Sequence, residues 1–358
     1  MRTKTMGDRG PGLAWPGAIL PLRSGRFSTR VELRSVVVTA LVIVAALGCA
    51  VWSLTIGSAG LGVADLVEAL RGTASANTTR TLLEWRMPRT VFALLGGAAL
   101  GAGGAVFQSI TRNPLGSPDI IGFSTGAYTG ALLVMLFGAS GSLATSLGAL
   151  AGGVLTGVVV YLFAYQRGVT GMRIIVVGIG VSLFLGAFNT WLLTTMRVES
   201  AIAAASWGSG SLLDIAWSHT IPVIIAVVIA VPALMLGETD MRMMEMGDDI
   251  GRGLGVSTDG VRVRMLLIAV ALVAVVTASA GPIAFVALAA PQLAMRLGGT
   301  PGVRILPAAA LGGLLLLASD MVARTVLAPT QLPVGVVTLC VGGAYLVWLL
   351  ASQGKKNR

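Results

Sequence analysis

The sequence predicts an all-α polytopic membrane protein of about ten transmembrane helices, and three observations carry that prediction. Hydrophobic residues fill 55% of the 358 positions and charged residues only 11%, where a soluble domain carries about a quarter charged residues. The mean hydropathy is +0.87. The apolar residues also fall in runs separated by short loops of Pro, Gly and Arg. The 25 Lys+Arg against 15 Asp+Glu are scattered between those runs, not gathered with aromatics on one face. They therefore point to loop charges and exclude a nucleic-acid partner.

Taken in order, residues 1–34 carry Arg2, Lys4, Arg9, Arg23, Arg26, Arg30 and Arg34 among Pro and Gly. They lack an apolar run long enough for a cleavable signal core and are expected to form a disordered cytoplasmic tail. A ten-helix membrane domain follows over residues 35–352. Its apolar runs lie at Val36–Ile56, Thr90–Ile110, Ile120–Phe137, Leu143–Tyr165, Ile174–Met196, Thr220–Gly237, Leu266–Ala280, Ile283–Met295, Leu306–Ser319 and Val334–Leu350. Thr90–Ile110 matches the bilayer core in length, and Pro114 ends it by removing a helix donor and biasing Asn113 away from helical angles. Several later runs are shorter than a full crossing, which predicts tilts and broken helices. A basic stretch, 353–358, closes the chain.

With the N-terminus placed inside, alternate loops put 19 of the basic residues inside and 6 outside, so both termini are expected in the cytoplasm. Cys49 and Cys340 both lie within apolar runs and form no disulfide framework. Glycines recur at four-residue spacing, as at Gly97 and Gly101, a pattern that lets helices approach closely in lipid.

The chemistry a membrane chain needs for its own energy supply is missing. No P-loop ending in Gly-Lys-Ser or Gly-Lys-Thr occurs, and none of the ten runs holds an Asp, Glu, His or Lys relay. Gly122-Phe123-Ser124-Thr125-Gly126 spells a nucleophile elbow, but His219, the sole histidine, is expected at the opposite face. Those glycines fit helix packing better, and His219 fits an interfacial side chain better than a metal ligand.

Two features stand out from this background. The long inside loop, 238–264, contains Met246, Gly247, Asp248, Asp249, Ile250, Arg252 and Leu254, with Met246, Ile250 and Leu254 spaced for one helical face and Gly255 placed to end the helix. Such a helix either lies on its own bundle or docks into another protein. Outside, Arg86 and Arg89 flank Pro88, and Arg324 sits at the end of the ninth run. Arginines there serve either as interfacial anchors or as planar, permanently charged forks for the carboxylates of an external partner.

Several stretches together resemble one family. These are Trp85-Arg86-Met87-Pro88-Arg89, Gly104-Ala105-Val106-Phe107-Gln108, Arg112-Asn113-Pro114-Leu115-Gly116-Ser117-Pro118-Asp119, Gly122-Phe123-Ser124-Thr125-Gly126-Ala127, Met246-Gly247-Asp248-Asp249, Ala280-Gly281-Pro282-Ile283 and Gln331-Leu332-Pro333-Val334-Gly335-Val336-Val337-Thr338. The family is the permease subunits of type II bacterial ABC importers for ferric siderophores, haem and cobalamin. Phe188-Asn189-Thr190-Trp191-Leu192-Leu193 and Glu245-Met246-Gly247-Asp248-Asp249 are most similar to the ferric-enterobactin (catecholate siderophore) permeases.

The resemblance implies ten helices per subunit and a second permease, in a heterodimer more often than a homodimer for catecholate systems. It also implies two ATP-binding cassette subunits that hold ATP and Mg, an extracytoplasmic siderophore-binding protein, and a ferric siderophore as cargo. This chain would itself hold no cofactor, metal or catalytic site. The 246–254 segment corresponds to the family's coupling helix, and Arg86, Arg89 and Arg324 to arginines facing glutamates of the binding protein. Gln108, Ser109, Ser124, Thr125, Ser182 and Asn189 are candidate pathway-lining groups for a large polar ligand. Pro291-Gln292-Leu293-Ala294-Met295-Arg296 departs from the family's usual Pro-His-Ile-Ala-Arg by losing the imidazole. The competing readings are a cobalamin or haem permease of the same family, an ATP-independent secondary transporter or channel, and an intramembrane enzyme using Ser124.

Overall fold

The computed structural model describes residues 19–24, 27–57, 60–119, 121–138, 141–165 and 171–356. Ahead of the first span, β1 (Ile19–Ser24) and β2 (Phe27–Glu32) pair antiparallel. Within the stretch 1–34 expected to be irregular, this strand pair occupies Ile19–Ser24 and Phe27–Glu32, and β2 is rich in strand-favouring residues such as Phe27, Thr29 and Val31. Residues 1–18 and 357–358 of the expected tails lie outside the described residues.

The helices are α1 (Leu33–Thr55), α2 (Val63–Arg71), α3 (Ala76–Thr79), α4 (Met87–Thr111), α5 (Phe123–Leu136), α6 (Ser142–Ala164), α7 (Gly171–Thr195) and α8 (Val198–Gly208). They continue with α9 (Trp217–Leu236), α10 (Glu238–Glu245), α11 (Asp248–Gly253), α12 (Thr258–Ala280), α13 (Val286–Gly298), α14 (Ile305–Thr325) and α15 (Val334–Lys356). Seven of these are long and apolar enough to cross a membrane, with α4 counted in a continuous helix from Ala76. The ten apolar runs map onto α1, α4, α5, α6, α7, α9, α12, α13, α14 and α15. With 14 and 13 residues, α5 and α13 reach only about 20 Å, well short of a bilayer's hydrocarbon core, so they are the anticipated broken spans. The last helix runs on to Lys356, into the stretch read as a basic tail.

Proline at position 88 does not interrupt the second span. A π-helical turn, Arg80–Arg86, precedes it, and the Met87 N–H donates to the Leu82 carbonyl. This wider ring carries the helix to a proline seated at the start of α4, where its missing donor costs little.

The hub is α4, buried along almost its whole length between α14, α13, α12 and α9. Its four-residue glycine spacing explains this position. A Cβ added at Gly97 or Gly101 would collide with the backbone of Gly312 or Ala308 in α14, and one at Gly104 with the backbone of Ala287 in α13. Lipid supplies no hydrophobic drive between helices, so their association depends on such close backbone approach. The pairs Gly126/Gly130 and Gly148/Gly152 repeat the device between α5 and α6.

Candidate functional site

At one end of α4 the chain builds the surface read from sequence as a coupling segment. Glu238 joins α10 to α14, accepting from Arg304 Nη1 and from the Ile305 N–H, each at 3.2 Å. Gly247, with φ of 128°, makes a turn between α10 and α11 that a side chain would resist. Gly255 (φ 87°) ends the segment as its position suggested. The apolar stripe is the informative part. Met246, Ile250 and Leu254 are 58%, 51% and 56% exposed, but the helix spans only Asp248–Gly253, so Met246 precedes the Gly247 turn and Leu254 caps the other end instead of all three lying on one helix.

The two adjacent aspartates diverge. Asp249 is fully exposed and meets Arg252 at 3.4 Å. Asp248 turns inward: one oxygen accepts from Arg112 Nη2 at 2.7 Å and the other from Arg262 Nη2 at 2.8 Å. Arg262 is 2% exposed, and its Nη1 also reaches Asp259 at 3.2 Å. Arg112, which caps α4 in the left-handed region (φ 50°), is thereby aimed at α11. Nearby, burial pushes the Glu245 carboxyl above its ordinary range, with the Ser109 hydroxyl and Arg242 acting the other way.

At the opposite end of α4 the arginines gather, although not as free forks. Arg89 is 8% exposed. Its Nε (3.0 Å) and Nη2 (2.8 Å) donate to one oxygen of Asp320, and its Nη1 donates to Gln331 Oε1 at 2.8 Å. Arg324 lies 3.1 Å from the other Asp320 oxygen and also holds Ser53. Arg86 is half-buried and donates to the Leu54 carbonyl at 2.7 Å. Two guanidiniums thus share one fully buried carboxylate, and with Arg86 close by the cluster keeps an excess of positive charge.

Asp320 corrects the reading that the spans hold no acid. It lies one residue past the apolar run that ends at Ser319, yet α14 continues to Thr325 and encloses it. The signal available in the sequence was its four-residue spacing from Arg324, which puts both on one helix face.

The candidate lining residues divide. Gln108 is buried, donating to the Leu288 carbonyl at 2.9 Å and accepting from Gln292 Nε2 at 2.6 Å. The amide at Gln292, where the family usually has His, thus supplies a donor that ties α13 to α4. Ser109 is buried. Asn189 is buried too, accepting from Thr129 Oγ1 at 2.7 Å and donating to the Thr125 carbonyl at 3.2 Å. Ser124, Thr125 and Ser182 are half-buried, so the structure leaves these three partly open. Ser124 donates to Asp119 Oδ1 at 2.5 Å, and His219 sits at the start of α9 accepting from the Ala216 N–H. The two halves of a hydrolase dyad are therefore not brought together.

The sequence and the fold are similar to those of known proteins. The chain is 44% identical over 325 residues to the ferric enterobactin transport system permease protein FepG of Escherichia coli (strain K12), covering 90% of this chain and 98% of that one. It is 37% identical to the probable siderophore transport system permease protein YfhA of Bacillus subtilis (strain 168), covering 82% and 89%. Among solved structures, a metal-chelate type ABC transporter in an inward-facing conformation superposes with a TM-score of 0.79 at 25% identity, covering 88% of this chain and 99% of that one. The fold is that of a type II ABC importer permease. The model of the FecCD transport family matches residues 40–352, and the chain belongs to that family.

Proposed function

We propose that this chain is half of the translocation pathway of an ATP-driven importer that carries a ferric siderophore, of the catecholate class, across the cytoplasmic membrane. The observation that supports it best is the apolar stripe of Met246, Ile250 and Leu254, exposed across α11 and the turns that flank it at one end of a bundle built like a type II importer. A stripe of that kind needs a protein partner, and an ATP-binding cassette subunit fits the need. ATP and Mg are bound there, not here, and both termini lie on that cytoplasmic side. A second, homologous permease completes the pathway, with Ser124, Thr125 and Ser182 contributing polar wall from this chain.

The arginine end faces outward and receives the siderophore-binding protein. Arg86 is its most available fork, and Arg89 and Arg324, braced on Asp320, supply a fixed positive field for acidic groups. Closure of the ATPases would tilt α10–α12 and repack the close helix contacts around α4, a rigid two-state change.

Deletion of this chain in its native cell tests the reading, with uptake of a panel of radiolabelled ferric catecholate, hydroxamate and citrate chelates, haem and cobalamin as readout. Selective loss of catecholate uptake is expected. Loss confined to haem or cobalamin would move the cargo assignment, and unchanged uptake of all would defeat it.

A further inference from the structure

We infer that Asp248 is a positioning residue that transmits force from the coupling helix into the bundle, and not part of the surface that holds the ATPase. The inference rests on the docking role of α11 proposed above. Its basis is the division of labour within one short helix. Met246, Ile250, Leu254 and Asp249 face outward, whereas Asp248 spends both oxygens on the bundle.

Those two bonds join elements far apart in sequence. One ends on Arg112 at the tip of α4, the helix around which α9, α12, α13 and α14 pack; the other ends on Arg262 in the first turns of α12. Arg262 is sealed at 2% exposure and has Asp248 and Asp259 as its acidic partners. Pulling this carboxylate away would leave the buried Arg262 with only the exposed Asp259 as an acidic partner, so the two bonds favour α11, α4 and α12 moving together. Arg252 and Asp259 link the same elements at 3.8 Å on the surface, a weaker tie.

The test uses the complete importer in proteoliposomes, with radiolabelled ferric enterobactin as probe and three variants of this chain. Asp248→Asn is expected to keep the ATPase bound through purification while cargo moved per ATP hydrolysed falls about 2- to 30-fold, the span that mutations in coupling networks produce. Arg112→Gln, which removes only the half-exposed leg, is expected to fall less. Ile250→Asp is expected to lose the ATPase itself. An Asp248→Asn complex with the unaltered cargo-to-ATP ratio, or one that sheds its ATPase as Ile250→Asp does, overturns the inference. If Ile250→Asp retains the ATPase, the docking role fails instead, whatever Asp248 does. Should Asp248→Asn not fold, the ratio for Arg112→Gln decides: no decrease rejects the strut.

Discussion

Replacing Asp320 with alanine removes the one carboxylate shared by Arg89 and Arg324. Its side chain has no solvent exposure, and those of its partners have 10% and 7%. Loss of one member of a buried pair leaves the others charged and desolvated, which costs about 3–5 kcal/mol. The π-helical turn ahead of α4 carries a control in the Arg80–Glu84 pair, whose side chains are 65% and 64% exposed; breaking an exposed pair costs about 0–1 kcal/mol. Equilibrium unfolding of the detergent-solubilised chain by a denaturing detergent reads both. A triple replacement, Arg89→Met with Asp320→Leu and Arg324→Met, should recover most of the loss, since apolar side chains of similar volume are often neutral in place of a buried ionic group. If Asp320→Ala costs no more than Glu84→Ala, the cluster is not desolvated and the picture of a braced positive field is wrong.

Other consequences follow from the same contacts. Gly104→Val should overpack α4 against the Ala287 backbone and cost at least about 1–3 kcal/mol, seen as reduced folded yield beside Gly157→Val, where no atom lies near. Gln292→Leu strands the Gln108 oxygen and should cost about 1–3 kcal/mol, whereas Gln292→His keeps a donor and should cost less; equal losses would deny the amide pair its role. The raised pKa of Glu245 gives a pH dependence with a definite sign. The folded state holds that proton more tightly than the unfolded state, so stability is greatest at or below the ordinary carboxylate pKa and declines as pH rises toward the elevated one. Glu245→Gln should flatten that decline, and an unchanged slope in unfolding experiments across the acidic range would refute it.

The spans were legible because hydrophobic run length is set by bilayer thickness, and all ten found their helices. Gly255 was legible for a similar reason, since turn chemistry is local, whereas the Met246, Ile250 and Leu254 spacing suggested a longer helix than the Asp248–Gly253 that formed after the Gly247 turn. What escaped was whatever depends on partners distant in sequence. Nothing near Arg89 reveals that its fork is filled by a residue 231 positions away, and the apolar run stopped one residue before Asp320. Asp248 and Asp249 look alike in a linear reading, yet only the packing of α12 against the loop decides which of them turns inward. Gln108 and Asn189 suggested a polar wall by residue type, but each satisfies its amide inside the helix bundle.

The central claim, that this chain moves a ferric siderophore only when ATPases dock on α11, is tested most directly by uptake into proteoliposomes holding the chain with its second permease. Radiolabelled ferric enterobactin, presented with the binding protein, should accumulate only when the ATPase subunits and ATP-Mg are added, and Ile250→Asp should abolish that accumulation. Uptake driven by an ion gradient without the ATPase subunits would contradict the account.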